Sequence, residues 1–253
     1  MNVDVDTVTG FHDEKLSNVK LAYRGSGNRV DRLEVKAIAD SGAAVELRNG
    51  AEAGGRAMRM KSADAGAILR FLDIYEHMEG GKIELALKGG AEGPMTGQVD
   101  ARDFVLVNEP RLSSIVSTTP PGGDRSLNQA VKRDIDTSRV NFERCYSQIE
   151  KGPGYLSLSN GILRGPLVGA SFQGMLYDPK GNMDMTGTFM PAYGLNRIFG
   201  ELPIIGALLG NGRDGGLIGV TFKLEGDANS PGVQINPLSA IAPGIFRSIF
   251  EFR

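Results

Sequence analysis

Residues 167–190 read LVGASFQGMLYDPKGNMDMTGTFM, and this stretch decides the fold. Val168, Ala170, Phe172 and Leu176 fall on alternate positions, with Gly174 between them. Successive side chains of a strand point to opposite faces, so the run predicts a strand that is apolar on one side. Asp178-Pro179-Lys180-Gly181 places proline and glycine where a tight turn needs a fixed φ and a positive one. The chain returns through Asn182–Met190, with Met183, Met185 and Phe189 on one face and Asn182, Asp184, Thr186 and Thr188 on the other. Two such runs joined by a tight turn make an antiparallel hairpin.

The same rhythm spreads outward. Downstream, Gly216–Leu224 carries Ile218, Val220, Phe222 and Leu224 in an apolar row, and Ser230-Pro231-Gly232 turns the chain into Val233–Asn236. Upstream, Tyr155–Ile162, Met95–Val107, Lys82–Lys88, Arg56–Lys61, Ala43–Arg48, Arg29–Ala39, Leu16–Tyr23 and Val3–Thr9 read as strands. In Arg29–Ala39, Leu33, Val35 and Ala37 oppose Arg32, Glu34 and Lys36, the pattern of a half-buried antiparallel strand. Met95–Val107 is expected to bend near Asp103, where its apolar face changes phase. Phe142–Ile149 fits a helix by spacing and a strand by rhythm.

Helical spacing is less frequent. Ser62 is the expected N-cap of a helix carrying Ala65, Ile68, Leu69, Leu72, Tyr75 and Met78, stopped by Gly80-Gly81. Pro110 opens a turn with Leu112, Ile115 and Val116 on one side, and Ser126–Ile135 reads as another helix. Between Phe189 and the strand from Gly216 lies an apolar plug, PAYGLNRIFGELPIIGALLG, residues 191–210. The tail Pro237–Arg253 reads as a short amphipathic helix broken at Pro243-Gly244. The expected fold is mainly β: a long, curved, largely antiparallel sheet forming a groove or half-open sandwich, with about five short helices capping it. Residues 1–253 are expected to form one domain, softly divided at the loop Thr118–Asp124 into 1–117 and 126–253.

The composition argues against most chemistry. A net charge of −2 with dispersed basic residues gives no footprint for nucleic acid. Two histidines, His12 and His77, and one cysteine, Cys145, give little for a triad or a zinc site. Each is expected to be a bystander: His12 in a turn, His77 at a solvated helix end, Cys145 without an activating base. Gly210-Asn211-Gly212-Arg213-Asp214-Gly215 matches the dinucleotide fingerprint in letters, but it follows an apolar plug and opens a strand, whereas the fingerprint follows a strand and opens a helix. No catalytic residue, metal or cofactor is expected.

From Phe189 onward the chain resembles the C-terminal region of AsmA-like proteins, bacterial envelope proteins with TamB and YhdP among their relatives. The resemblance rests on Pro191–Asn196 (PAYGLN), Pro203–Gly206 (PIIG), Gly216–Val220 (GLIGV) and Asn236–Gly244 (NPLSAIAPG), and extends to Ser62–Leu85. It implies a segment of a longer, inner-membrane-anchored periplasmic protein whose β-sheets form a hydrophobic groove for phospholipid transfer between inner and outer membranes. The anchor is absent from these residues, and the family brings no catalytic residues.

Independently of that resemblance, one-sided apolar strands supply what acyl chains need. Candidate groove residues are Val168, Phe172, Leu176, Met183, Met185, Phe189, Ile218, Val220, Phe222 and Leu224. The plain alternative is that they close into an ordinary core. The plug residues Tyr193, Leu195, Ile198, Phe199, Leu202, Ile204, Ile205, Leu208 and Leu209 are expected to seal one end or flank of the sheet, as a fixed cap or a movable gate. The expected partners are phospholipid acyl chains. An alternative function is a non-catalytic module that docks to an envelope partner or membrane surface through Leu238–Phe252.

Overall fold

A computed structural model describes residues 1–26, 29–52, 54–117, 136–166, 168–191, 218–235 and 239–240. It shows a mainly β fold. Thirteen strands lie side by side in sequence order, each antiparallel to the next: β1 (Asn2–Thr9), β2 (Lys15–Ser26), β3 (Arg29–Ala39), β4 (Ala44–Glu52), β5 (Gly55–Ser62), β6 (Met78–Gly89), β7 (Met95–Val107), β8 (Arg139–Gly152), β9 (Tyr155–Arg164), β10 (Val168–Tyr177), β11 (Asn182–Pro191), β12 (Ile218–Asp227) and β13 (Gly232–Ile235). A two-residue strand, β14 (Ser239–Ala240), pairs with the start of β12. The sheet does not close, so β1 and β13 are its two ends.

Two α-helices are found among the described residues, α1 (Ala65–Phe71) and α2 (Pro110–Ser117). Their position follows from the connectivity. The chain passes from β2 to β3, β4 to β5, β6 to β7, β8 to β9, β10 to β11 and β12 to β13 at one end of the strands. It passes from each remaining strand to the next at the other end, where the described residues 63–77 and 108–117 follow β5 and β7. Both helices therefore sit at this second end. The plug from residue 192 onward lies outside the described residues, as do Thr118–Asp124 and Ser126–Ile135.

The sequence alternation survives as two chemically different faces. On one face, Val3, Leu21, Val35, Leu47, Met60, Leu85 and Val99 lie in register across β1 to β7. On the other, Asp4, Lys20, Lys36, Glu46, Lys61 and Glu84 do the same across β1 to β6. In that charged row Lys61 Nζ lies 3.4 Å from Glu46, a cross-strand ion pair of the kind that supports a solvated face.

Holding one apolar face over strands this long requires local breaks in the alternation. Asn18, Asp103 and Asn160 sit inside β2, β7 and β9 with φ of 51, 56 and 50°. Only glycine, asparagine and aspartate enter this left-handed region readily. Each residue shifts the phase by one: Leu16 and Val19 are both buried, as are Ala101 and Phe104. The change of apolar phase read near Asp103 is thus present. The break crosses neighbouring strands, with Gly81 (φ 83°) in β6 and the step from Phe142 to Cys145 in β8.

Several expectations are corrected. Asp64, not Ser62, caps α1, accepting a 3.0 Å hydrogen bond from the Ala67 amide, while Ser62 Oγ accepts from the Asp64 amide at 3.1 Å. The helix ends at Phe71 because Asp73 turns left-handed (φ 54°), leaving Leu72 46% exposed outside the expected stripe. Gly80-Gly81 do not stop a helix; they lie within β6, where a Cβ on Gly81 would come within 2.6 Å of the Phe104 Cβ. His77 is therefore not at a helix end: it precedes β6 and its Nδ1 lies 3.0 Å from the Val107 carbonyl. Phe142–Ile149 is a strand, part of β8. In the tail, Ser239–Ala240 is a strand pair rather than helix. Pro110–Ser117 is helical as expected, with Leu112, Ile115 and Val116 buried.

Candidate functional site

The apolar face is the feature that could act on another molecule. One row on it crosses twelve neighbouring strands in register: Tyr23, Leu33, Asn49, Met58, Leu87, Gly97, Ile149, Leu158, Gly174, Met185, Leu224 and Val233. It contains no charged residue and one amide, Asn49. With strands about 4.8 Å apart, its eleven steps follow the sheet surface for roughly 53 Å.

The groove candidates belong to this face. Registers between β10, β11 and β12 put Ala170 beside Phe189 and Val220, Phe172 beside Gly187 and Phe222, and Gly174 beside Met185 and Leu224. Val168, Leu176, Met183 and Ile218 share the face by the strands' alternation, so the backbone brings all ten together. Val168, Met183, Met185, Phe189 and Phe222 are buried; Phe172, Leu176 and Leu224 are half-buried. Near the helical end, Val168, Ala170, Phe189, Phe222 and Ile235 pack in one cluster with Leu112, Ile115 and Val116 of α2. There the face is a closed core under a helix. The plug residues and most of the tail 238–252 lie outside the described residues.

Phe172 and Phe222 have a more particular placement. A Cβ on Gly161 would meet Phe172 Cδ2 and Cε2 at 2.4 Å, and a Cβ on Gly187 would meet Phe222 Cζ at 2.5 Å. Each ring therefore lies across the glycine of the preceding strand, and the register reads Gly161–Phe172–Gly187–Phe222–Ile235. The rings pave the floor of the face instead of projecting from it. Both glycines are needed because the rings occupy the space their side chains would fill.

Away from the helices the face packs on itself. Leu87, Met95 and Ile149 form a buried cluster with Met58, Leu85, Val99, Leu156 and Leu158, all from strands. Toward β1 the cover thins. Leu33 and Leu47 are half-buried and belong to none of the packed clusters described. These two escaped nomination although their alternation with Arg32, Glu34 and Glu46 carried the same signal as β10 to β12.

A part-buried polar group ties α2 to the link before β6. The Tyr75 hydroxyl donates to Glu109, whose carboxylate also accepts from Arg111 Nε (2.5 Å) and the Arg111 amide (3.0 Å), capping α2. The Arg111 guanidinium lies 5.6 Å from the Tyr75 ring centre. Burial would raise the Glu109 carboxyl, but its hydrogen bonds from Arg111 and Tyr75 outweigh that and hold it below the usual glutamate range. Burial, reinforced by the Glu109 charge, pushes the Tyr75 hydroxyl up. Sequence reading passed over this triad because Tyr75 lies 34 residues before Glu109, in a different link of the sheet.

Among the described residues the histidines and the cysteine lie apart from one another. His12 Nε2 pairs with Asp73 at 2.8 Å on the surface. Burial, with a smaller contribution from Asp100, pushes the Cys145 thiol up to about 12, away from nucleophilic character. Asp100, a carboxylate of the charged face, is held low by Arg102 and Arg144 against the effect of burial. Among the described residues no cluster of His, Cys, Asp and Glu has metal-binding geometry, and no helix is long and apolar enough to cross a membrane. Comparison of the chain with protein-family models, curated proteins and solved structures finds no match.

Proposed function

We propose that this chain is an AsmA-like segment of a longer, inner-membrane-anchored periplasmic protein, and that its apolar face forms a curved groove carrying phospholipid acyl chains between inner and outer membranes. The observation that carries this reading is the uncharged row across β2 to β13, set against a charged row on the opposite face of β1 to β6. A lipid moving along such a row exchanges one apolar contact for a similar one at each strand, so no step holds it strongly. At roughly 53 Å the row exceeds one acyl chain, which occupies about half of a ~30 Å bilayer core. The strands bind without catalysing, and no cofactor takes part.

The region toward β1 is the accessible part of the groove in this reading, because Leu33 and Leu47 are half-buried without being packed into a core. The α2 end closes it. The test is organic extraction of the purified chain followed by mass spectrometry, with uptake of a fluorescent phospholipid from vesicles. The expected result is co-purifying phospholipid and measurable uptake, both reduced at least tenfold in Leu33→Glu/Leu47→Glu with the β circular-dichroism signal unchanged. A folded, lipid-free chain that takes up none refutes the reading. So does a double variant that folds and still carries wild-type amounts.

A further inference from the structure

Among the described residues β1 pairs with β2 alone, and its outer edge carries an inference that does not depend on lipid. The Met1 ammonium donates to the Tyr23 carbonyl at 2.8 Å, and the Tyr23 amide donates back to the Met1 carbonyl at 2.9 Å. Met1 and Tyr23 are thus a hydrogen-bonded pair of the ladder. In an antiparallel ladder these pairs alternate with non-bonded ones, so Met1, Val3 and Val5 turn their backbone groups toward β2. Asn2, Asp4 and Asp6 turn theirs outward, toward the free edge.

Both side-chain rows of the sheet also stop here. Val3 is the last member of the apolar row, and beside it Val5 is 38% exposed. Asp4 is the last member of the charged row, opposite Lys20. Asp4 and Asp6 are exposed, and β1 contains no lysine, arginine or proline. Natural edge strands are blunted by charged side chains, proline or a covering element, and on β1 the charges are the carboxylates of Asp4 and Asp6. Two copies of β1 side by side would bring carboxylates opposite carboxylates, which opposes self-pairing. A strand with basic side chains opposite Asp4 and Asp6, and apolar ones beside Val3 and Val5, continues both rows and satisfies the free backbone groups.

We propose that the free edge of β1 docks an extended polypeptide segment in which basic residues alternate with apolar ones, adding a strand to the sheet. The test uses a short, capped, fluorescent peptide of alternating lysine and valine, with a glutamate–valine peptide as its counterpart. Anisotropy titration of the full chain is expected to show the lysine peptide binding at least tenfold more tightly. Hydrogen exchange is expected to slow at the Asn2, Asp4 and Asp6 amides in the complex. Asp4→Lys/Asp6→Lys is expected to reverse the preference. Asp4→Pro removes an outward N–H while leaving the β1–β2 ladder intact, and is expected to abolish binding in a chain whose circular dichroism is unchanged. The proposal is overturned if the lysine peptide does not bind or is not preferred, if Asp4→Pro leaves its binding unaltered, or if the chain instead dimerises through β1.

Discussion

Gly187→Ala is a one-carbon test of how the face is paved. The new Cβ would stand 2.5 Å from Phe222 Cζ, 2.9 Å from Cε1 and 2.4 Å from the Ser171 carbonyl oxygen. Carbon atoms pack at about 3.5–4.0 Å, so the ring must withdraw by about 1 Å. Phe222 is only 9% exposed and packs in the cluster that includes α2, so it has no empty space to enter. Overpacking of this kind costs about 1–3 kcal/mol, and the backbone contact puts this site toward the upper end, near 2–3 kcal/mol. Phe222→Ala alone leaves a hole and should cost about 3–5 kcal/mol. Together the two changes should cost less than their sum by at least about 1 kcal/mol, because the alanine methyl occupies space the ring has left. Urea unfolding of the two single variants, the double and the wild type measures this coupling. Additivity within about 0.5 kcal/mol, or a neutral Gly187→Ala, would refute the placement of the ring over the glycine.

The phase breaks and the polar clasp make further predictions. Asn160→Val puts a β-branched side chain at φ 50° and should lower stability by about 1–2 kcal/mol, whereas Asn160→Gly should stay within about 0.5 kcal/mol of wild type in the same assay. Glu109 has a depressed folded-state pKa, so its contribution is complete above the ordinary glutamate value of about 4.3 and lost as pH falls through the lower folded value. Thermal melts of wild type should therefore show an acid limb below about pH 4, and Glu109→Gln should flatten that limb while lowering the melting temperature at neutral pH.

Period-2 alternation made most strands legible, because a strand with one face buried fixes the chemistry of every second residue. Leu33, Val35 and Ala37 lie as read, and Met183, Met185 and Phe189 share the expected face. Failures cluster where the phase shifts. In β8 the step from inward Phe142 to inward Cys145 is three residues, and Phe142 to Ile149 is seven, which are helical spacings. A strand with one phase break thus imitates a helix over eight residues, which explains the ambiguity at Phe142–Ile149. Beyond Phe71 the error ran the other way: Leu72, Tyr75 and Met78 kept helical spacing after Asp73 had ended the helix. The candidate groove residues were legible as one face of adjacent strands. That Phe172 and Phe222 lie flat was not, since it depends on which residue of the neighbouring strand stands opposite. The Tyr75–Glu109–Arg111 contact likewise required the register of β6 on β7, which brings the start of one strand beside the end of the other.

The order of the strands has a bearing on size. From β1 to β12 each strand is hydrogen-bonded to its neighbours in sequence, and the links that carry the two helices emerge at one end. Removing one strand would throw every later link to the opposite end and turn its helix away from the core it covers. Removing a hairpin would not. The width of this sheet can therefore change only in increments of two strands, about 9.6 Å each, with the helices keeping their side as it lengthens or shortens.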